Sequence, residues 1–282
     1  MKLVTFRAQD GAARVGAAVD GERIVPLPIA ADMLDLIRRW SELGEEVRRL
    51  ASGARGAMPL VRDNLLAPIP RPGKIMAIGL NYADHVAESG QQTPPHQIWF
   101  SKAATAAHAP FAPVEIPKAS ALVDYEAELV AVIGAGGRHV GRGDAHAAVF
   151  GFCAGNDVSV RDWQMRTSQW VLGKSFDTHA PFGPWIVTAD EIADPHILGI
   201  RCFVNGEKRQ DSNTRHLIFD VWAQIEHLSQ VMTLEPGDLI FTGTPGGVGA
   251  AMNPRQFLES GDRARVEIDQ VGAIENVFEP ES

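Results

Sequence analysis

The sequence predicts an α+β fold that is predominantly β, with a small N-terminal α/β domain and a larger β-rich domain. Three observations support this prediction. Short apolar segments separated by turn residues recur along most of the chain, and helical periodicity is confined to a few stretches. The Pro-rich segment at 67–73 interrupts the pattern. We therefore place an N-terminal domain at 1–70 and a larger domain, expected to be a rolled or barrel-like mixed sheet, at 71–282.

The elements of the N-terminal domain follow from local signals. Residues 1–27 predict short strands with turns at Gly11 and Asp20-Gly21, and apolar residues at helical spacing predict one amphipathic helix at about 31–51. In the larger domain, Asn205-Gly206 indicates a hairpin. Helical spacing predicts a helix at Leu217–Val231. The strands predicted there are Ile75–Gly79, Glu128–Ile133, Ile200–Val204, Leu239–Thr242 and Ala264–Ile268.

Composition indicates an ordinary enzyme and excludes several other classes. The 282 residues are 45% hydrophobic, and the net charge of −9 disfavours nucleic acid and anionic membranes as partners. No stretch approaches the roughly 20 apolar residues of a membrane-spanning helix, and the first residues do not resemble a signal peptide, so we expect a cytoplasmic protein. Cys153 and Cys202 form no metal or redox motif and are expected to be small buried hydrophobes.

Carboxylates inside apolar strands are the most informative feature of the chain. Alternation places Asp124, Glu126 and Glu128 on one strand face, where residues two apart lie roughly 6.6 Å from each other. Glu126 and Glu128 are therefore expected to converge, with Asp157 supplied by a second strand-like segment. Buried carboxylates need a charge partner, which favours a hard divalent cation: Mg²⁺ first, with Mn²⁺ or Ca²⁺ as alternatives. The competing interpretation is an exposed strand face with solvated acids.

A histidine and a glutamate follow the predicted strand Ile75–Gly79. If this segment is helical, His85 and Glu88 share a face, and the carboxylate orients the imidazole as in a general-base pair. The polar, breaker-rich segment 89–95 is typical of a mobile loop, so the pair is expected on a lid over the substrate. The alternative is an incidental pair on a surface helix.

Three further side chains suit a substrate that carries carboxylate or enolate oxygens: Arg161, Gln164 and Lys174. Arg161 has a structural alternative, pairing with Asp162 or Asp177. Lys174 lies in a Gly-Lys-Ser triplet, but the glycine that a P-loop requires five residues earlier is missing, so nucleotide binding is not expected.

The glycine-rich turn after the predicted strand Leu239–Thr242 is a further candidate for substrate binding. Such a turn exposes backbone N–H groups and hydroxyls to an oxyanion, and Thr244 is the side chain we select there. A plain tight turn is the alternative.

Taken together, these motifs resemble the fumarylacetoacetate hydrolase superfamily. The resemblance runs from about Pro72 to Val277. It is closest in appearance to the fumarylacetoacetate hydrolase domain-containing proteins of the second type and their bacterial relatives. One departure is His179, where the family more often has an aromatic residue, which leaves the polarity of the pocket open. The motifs, in the family's order, are Asn81-Tyr82 with His85 and Glu88, Phe100-Ser101-Lys102, Asp124-Tyr125-Glu126-Ala127-Glu128-Leu129, Asn156-Asp157-Val158-Ser159, Gly173-Lys174-Ser175-Phe176-Asp177, Val204-Asn205-Gly206-Glu207 and Thr242-Gly243-Thr244-Pro245.

The resemblance implies the family's β-rich catalytic fold, a homodimer and a role for each matched residue. It implies that His85 and Glu88 activate water, that Lys174 stabilises an enolate, and that a Mg²⁺ or Mn²⁺ ion is bound. The metal ligands it implies are Glu126, Glu128 and Asp157, and the substrate contacts are Arg161, Gln164, Lys174 and Thr244.

The activity implied first is metal-dependent hydrolysis of a carbon–carbon bond in a 2,4-diketo acid of the acylpyruvate type, through a metal-bound enolate. Tautomerisation or decarboxylation of an oxaloacetate-like substrate, or isomerisation of a 2-hydroxy-dienoate, would use the same intermediate, and the sequence does not separate these reactions. From another class, a non-catalytic metal-binding dimer stays open as an alternative. The expected partner is a small keto acid.

Overall fold

The computed structural model describes residues 1–90 and 92–282 of the chain. Nineteen strands dominate it, and seven short helices connect them. The strands are β1 Lys2–Arg7, β2 Ala13–Val19, β3 Arg23–Pro26, β4 Met58–Pro59, β5 Leu65–Leu66, β6 Ile75–Gly79, β7 Ile98–Lys102, β8 Ala107–His108, β9 Val114–Ile116, β10 Val123–Asp124, β11 Ala127–Ile133, β12 Val149–Asn156, β13 Ser159–Val160, β14 Ala180–Thr188, β15 Gly199–Val204, β16 Glu207–Asn213, β17 Leu239–Phe241, β18 Arg263–Ile268 and β19 Gly272–Pro280. The helices are α1 Met33–Arg38, α2 Trp40–Gly53, α3 Ala83–Ser89, α4 Ala145–Ala148, α5 Arg161–Gln164, α6 Val171–Lys174 and α7 Val221–Val231.

Most strands belong to one large mixed sheet. Its order is β4-β3-β2-β1-β14-β12-β11-β17-β6-β7, and the β17–β6 pair is parallel within an otherwise antiparallel path. The predicted class, α+β and predominantly β, is confirmed. The N-terminal strands extend this sheet through β1 and β14, where Lys2 lies opposite Val187. The division of the chain at residue 70 stays a prediction.

A second sheet of five strands has the order β16-β15-β18-β19-β9. Asn205 and Gly206 connect β15 to β16 with φ values of 52° and 81°. Two successive positive φ angles match the right-handed twist of a two-residue hairpin, which explains the Asn-Gly pair. The predicted hairpin is confirmed.

The N-terminal helix differs from its prediction. One helix was expected at about 31–51, but α1 ends at Arg38 and α2 begins at Trp40. The intervening Arg39, with φ −105° and ψ 19°, is not helical. The break lets both helices bury apolar residues in the same cluster: Leu36 and Ile37 from α1, and Val47 from α2. Tertiary packing therefore overrides the continuous periodicity.

The fold bears on what the sequence predicted for the two cysteines and for membrane-spanning helices. Cys153 and Cys202 are both buried and free, as predicted. Among the described residues, no helix combines the length and apolar character that crossing a membrane requires.

The centre of the large sheet positions the candidate site. Every residue of β11 and β12 is buried, and the two strands pair with Ala127 opposite Asn156 and Glu128 opposite Gly155. Asp157 comes directly after the end of β12, so the register places it beside the start of β11. Its N–H donates to the carbonyl of Glu126 at 2.9 Å.

Candidate active site

Three carboxylates meet where β11 begins and β12 ends. One oxygen from each of Glu126, Glu128 and Asp157 lies within 4.8 Å of the other two, and all three side chains are buried. Only oxygen ligands are offered, which is the donor set that Mg²⁺, Mn²⁺ and Ca²⁺ prefer. The structure thus brings together the residues that the sequence selected as metal ligands.

Alternation alone predicted one continuous strand for the segment that carries these acids, but the structure divides the segment into two strands. β10 ends at Asp124 and β11 starts at Ala127. Between them, the N–H of Glu126 donates to Oδ1 of Asn156 at 2.9 Å. This side-chain contact replaces a strand pairing and turns Glu126 towards Asp157.

Asp124 lies outside the carboxylate group. Its oxygens accept from Nε of Arg161 at 2.8 Å and from the N–H groups of Gly249 and Ala250 at 2.8 and 2.9 Å. Nη2 of Arg161 lies 2.7 Å from the same carboxylate. The charge of Asp124 is therefore fully compensated within the protein.

Two buried lysine ammonium groups contact the carboxylate group. Nζ of Lys174 lies 2.7 Å from Oε2 of Glu126 and 2.7 Å from Oδ2 of Asp157. Nζ of Lys102 lies 2.5 Å from Oδ1 of Asp157 and donates to the carbonyl of Val158 at 3.2 Å. The site therefore contains two buried cations beside its anions, a setting that can stabilise further negative charge on a bound molecule.

Sequence reasoning did not assign a role to Lys102. The signal was present in β7, where Phe100 and Lys102 are buried and the intervening Ser101 is exposed. A lysine on the buried face of a strand needs a carboxylate partner, in this case one that lies 55 residues away.

Arg161 occupies a bridging position at the start of α5. Besides Asp124, it contacts Oε1 of Glu126 and Oε1 of Gln164 through Nη1, at 2.7 and 2.9 Å. It therefore orients Glu126, and its ion-pair partners are Asp124 and Glu126 rather than the Asp162 or Asp177 considered from sequence. The substrate contacts predicted for Arg161 and Gln164 stay predictions.

The ionisation of Glu126 and Glu128 is pushed in opposite directions. Burial alone would raise the pKa of Glu126, but Lys174 and Arg161 outweigh it and lower the pKa to about 2. Burial raises the pKa of Glu128 well above its ordinary value, and Asp157 and Glu126 raise it further. Glu128 accepts from the N–H of Gly243 at 2.8 Å, and no ion pair reaches it within residues 1–90 and 92–282. A divalent cation would supply the positive partner that Glu128 lacks, so these residues fit a metal ion.

The predicted His–Glu pair lies on helix α3. Nδ1 of His85 is 3.5 Å from Oε1 of Glu88, and this buried nitrogen has no hydrogen-bond partner among the described residues. Oε2 of Glu88 accepts from the N–H of Gly247 at 2.5 Å, which ties α3 to the glycine-rich loop. The loop predicted at 89–95 includes Gln91, which lies outside the described residues.

The glycine-rich loop approaches the cluster through Gly243 and Thr244. Gln210 on β16 donates from Nε2 to Oγ1 of Thr244 and to the carbonyl of Pro245, both at 2.8 Å. At Gly247, φ is +103° and a Cβ would lie 2.0 Å from the carbonyl oxygen of Arg209, so only glycine fits there. Sequence reasoning missed Gln210, because β16 has no apolar alternation to reveal its buried face.

His179, the departure from the family pattern, is fully buried. Its Nε2 bonds to the carbonyl of Glu115 at 2.7 Å, and its ring lies 5.4 Å from that of Phe176. Burial lowers the pKa of His179 to about 3, so the ring is neutral. It packs as an aromatic side chain would.

The fold and the buried, cation-flanked carboxylate site together define an enzyme that acts on a small molecule. The family model described as the fumarylacetoacetate hydrolase C-terminal domain matches residues 74–279. The chain belongs to the fumarylacetoacetate hydrolase family, as the sequence motifs predicted.

Individual relatives agree with this assignment. The chain is 45% identical to a Xenopus laevis protein named oxaloacetate tautomerase fahd2, mitochondrial. The alignment is 285 residues long with its gaps, and it covers 98% of this chain and 89% of the relative. Two solved structures align with 100% of this chain and over 100% of their own length. A fumarylacetoacetate hydrolase from Exiguobacterium antarcticum has 36% identity and a TM-score of 0.88. A maleylpyruvate hydrolase from Sphingobium, in complex with manganese(II) and pyruvate, has 32% identity and a TM-score of 0.83.

Proposed function

We propose that this protein interconverts the keto and enol forms of oxaloacetate. The observation that carries the proposal is that the two groups it needs both connect to the carboxylate group: the ammonium of Lys174 donates to Glu126, and Glu88, paired with His85, accepts from Gly247 of the loop whose Gly243 binds Glu128. The His85–Glu88 pair can move a proton, and Lys174 can stabilise the enolate that forms when a proton leaves carbon. The relative named oxaloacetate tautomerase, which aligns with nearly the whole chain, supports this choice over the hydrolysis expected first from sequence.

We also propose that Glu126, Glu128 and Asp157 hold a divalent cation, Mg²⁺ or Mn²⁺. When bound, such an ion would act as a Lewis acid towards the keto oxygen of the substrate. The manganese ion and pyruvate in the maleylpyruvate hydrolase structure support the metal and the substrate class. Lys102 and Arg161 hold Asp157 and Glu126 in place, so the ligands are oriented before the ion binds.

The proton transfers follow from the side chains. His85 and Glu88 take a proton from the carbon between the keto group and the distal carboxylate of oxaloacetate, and the negative charge moves to the keto oxygen. Lys174 stabilises this oxygen, and the His85–Glu88 pair returns the proton it took from carbon to the oxygen, which completes the enol and restores the pair. The reverse sequence restores the ketone. Tautomerisation therefore needs neither a water nucleophile nor a leaving group.

Hydrolysis of an acylpyruvate is a second candidate, favoured by one observation. The buried Nδ1 of His85 has no hydrogen-bond partner among the described residues, which leaves a place where a water could bind and be deprotonated. Cleavage would then release pyruvate and a carboxylic acid. Decarboxylation of oxaloacetate would also release pyruvate and is distinguished by the carbon dioxide formed.

The test follows the enol absorbance of oxaloacetate with Mg²⁺ or Mn²⁺, and again with EDTA, while pyruvate is assayed in parallel. We expect metal-dependent acceleration of keto–enol exchange without pyruvate release. No acceleration over buffer alone would reject the tautomerase. Pyruvate accumulation from an acylpyruvate would establish the hydrolase instead.

The assembly and location remain proposals as well. We propose a homodimer, which light scattering on a sizing column would test by the mass of the eluted species. The cytoplasmic location expected from sequence stays a prediction, and the name of the Xenopus laevis relative places that protein in mitochondria.

A further inference from the structure

Gln210 connects two parts of the candidate site although it contacts none of the carboxylates. It lies on β16 of the smaller sheet and is fully buried. Its Oε1 accepts from the N–H of Ala127, between Glu126 and Glu128, at 2.9 Å. Its Nε2 donates to the hydroxyl of Thr244 and to the carbonyl of Pro245. One side chain therefore links the ligand-bearing strand to the glycine-rich loop.

The chemistry of these partners fixes the orientation of the amide. A backbone N–H such as that of Ala127 can only donate, so the Gln210 atom facing it must be oxygen. The carbonyl of Pro245 can only accept, so the atom facing it must be nitrogen. Both ends give the same answer, and the amide cannot be turned over without two unfavourable contacts.

The fixed amide in turn fixes the polarity of Thr244. Since Nε2 of Gln210 donates to Oγ1 of Thr244, the hydroxyl serves as an acceptor on that side and must direct its own proton elsewhere. Thr244 is buried, and in the described part of the chain no acceptor meets this proton. Thr244 follows Gly243, whose N–H binds Glu128, so the chain at Thr244 is one residue from a direct contact with the carboxylate group.

We propose that Gln210 is a positioning residue that sets Thr244 as an obligatory hydrogen-bond donor to the substrate. This inference rests on the proposed function and deepens it. The substrate group that satisfies the proton of Thr244 must accept a hydrogen bond, as a carboxylate or keto oxygen does, and a group that can only donate, such as an ammonium, would leave that proton without an acceptor. The site thereby favours the acceptor oxygens of keto acids.

The test is a double-mutant cycle on the metal-loaded protein with pyruvate as the probe, read by calorimetry. In Gln210→Glu, the carboxylate accepts the proton of Thr244 and reverses the polarity of the hydroxyl. Because a hydrogen bond to a charged group contributes about 1.5–3 kcal/mol, we expect pyruvate binding to weaken at least about tenfold. In the Thr244→Val background, the same substitution should change binding less than about threefold, because there is no hydroxyl to reverse.

Gln224→Glu provides a matched control. Gln224 is also fully buried, and its Nε2 donates to the carbonyls of Phe219 and Thr242 rather than to Thr244. It should lose stability as Gln210→Glu does while keeping pyruvate affinity within about threefold. If Gln210→Glu does not fold, Gln210→Met replaces it in the same cycle, since it removes the donor that fixes the hydroxyl.

Equal weakening by Gln210→Glu in the wild-type and Thr244→Val backgrounds would overturn the inference, because the effect would not pass through the hydroxyl. Failure of the wild type to bind pyruvate would also overturn it. If pyruvate binds and the cycle shows coupling while oxaloacetate is not tautomerised, only the proposed function fails.

Discussion

Asp124 and Glu128 are buried acids four residues apart in the chain, yet their surroundings differ completely. The region around Asp124 supplies a guanidinium group from Arg161 and N–H groups from Gly249 and Ala250. The region around Glu128 supplies one N–H group, from Gly243, and two further carboxylates. Similar burial therefore produces a structural ion pair in one region and, among the described residues, a carboxyl group without a cationic partner in the other.

The difference arises from which distant elements reach each acid. Helix α5 brings Arg161 to Asp124, whereas Lys102 and Lys174 bind Asp157 and leave Glu128 without a cation among the described residues. Burial and its two acidic neighbours accordingly raise the pKa of Glu128. A protein retains such a group at a cost to stability, which favours a functional role at this position over a structural one.

The largest expected effect is a loss of stability when the charge of Asp124 is removed. Asp124→Asn removes one of the two carboxylates that compensate Arg161, the other being Glu126, and should lower the free energy of unfolding by about 3 kcal/mol, because a buried cation loses half of its compensation. Urea unfolding monitored by tryptophan fluorescence measures the loss. Asp211→Asn, which breaks the exposed ion pair with Lys208, is the control and should change stability by about 0.5 kcal/mol or less. Similar losses in the two variants would contradict the special role of Asp124.

The next effect tests whether Glu88 on helix α3 takes part in the chemistry. Glu88→Gln should lower turnover about a hundredfold or more, since proton transfer by a positioned carboxylate contributes about that much. The glutamine oxygen can still accept from Gly247, so the fold should persist. Asp84→Asn, on the same helix but bonded to Ser212, should stay within about threefold of wild type. Full activity of Glu88→Gln in the enol assay would remove Glu88 from the mechanism.

A smaller effect concerns His179, which lies outside the Asp124 and Glu128 regions and makes the stability of the protein depend on pH. The folded pKa of His179 is about 3 against an ordinary value of 6.5. Below about pH 6.5, His179 is therefore protonated in the unfolded chain but not in the folded protein, and the free energy of unfolding falls as the pH drops. Between pH 6.5 and 5 this loss is about 1.5 kcal/mol.

His179→Phe should remove that part of the slope of unfolding free energy against pH, because phenylalanine fills the same space without titrating. His96→Gln, at an exposed site, should keep the wild-type slope. An unchanged slope in His179→Phe would mean that His179 does not stay neutral in the folded protein.

Local signals in the sequence predicted much of the framework. The strand Ile75–Gly79 and the Asn205-Gly206 hairpin were placed correctly because alternation and turn chemistry act over a few residues. The two-residue spacing of Glu126 and Glu128 likewise predicted their convergence. The single helix at 31–51 was wrong because its break at Arg39 serves packing against the sheet.

The remainder of the site depends on contacts across the sheets. Asp157 joins the other acids through the register of β11 with β12, and Lys102 reaches Asp157 across 55 residues. Gln210 reaches Ala127 across 83 residues from the second sheet. A single sequence carries no record of such pairings, so the polarity of Thr244 and the compensation of Asp124 emerge only from the fold.

Calorimetric titration of metal-stripped protein with Mn²⁺ tests the contrast between the two regions most directly. Wild type should bind one ion, and Glu128→Gln should weaken binding at least about a hundredfold by removing a charged ligand. Asp124→Asn should retain affinity within about fivefold, since Asp124 is not a ligand and acts on the site only through Arg161. Wild-type affinity in Glu128→Gln, or loss of binding in Asp124→Asn alone, would contradict the assignment of the metal site to Glu126, Glu128 and Asp157.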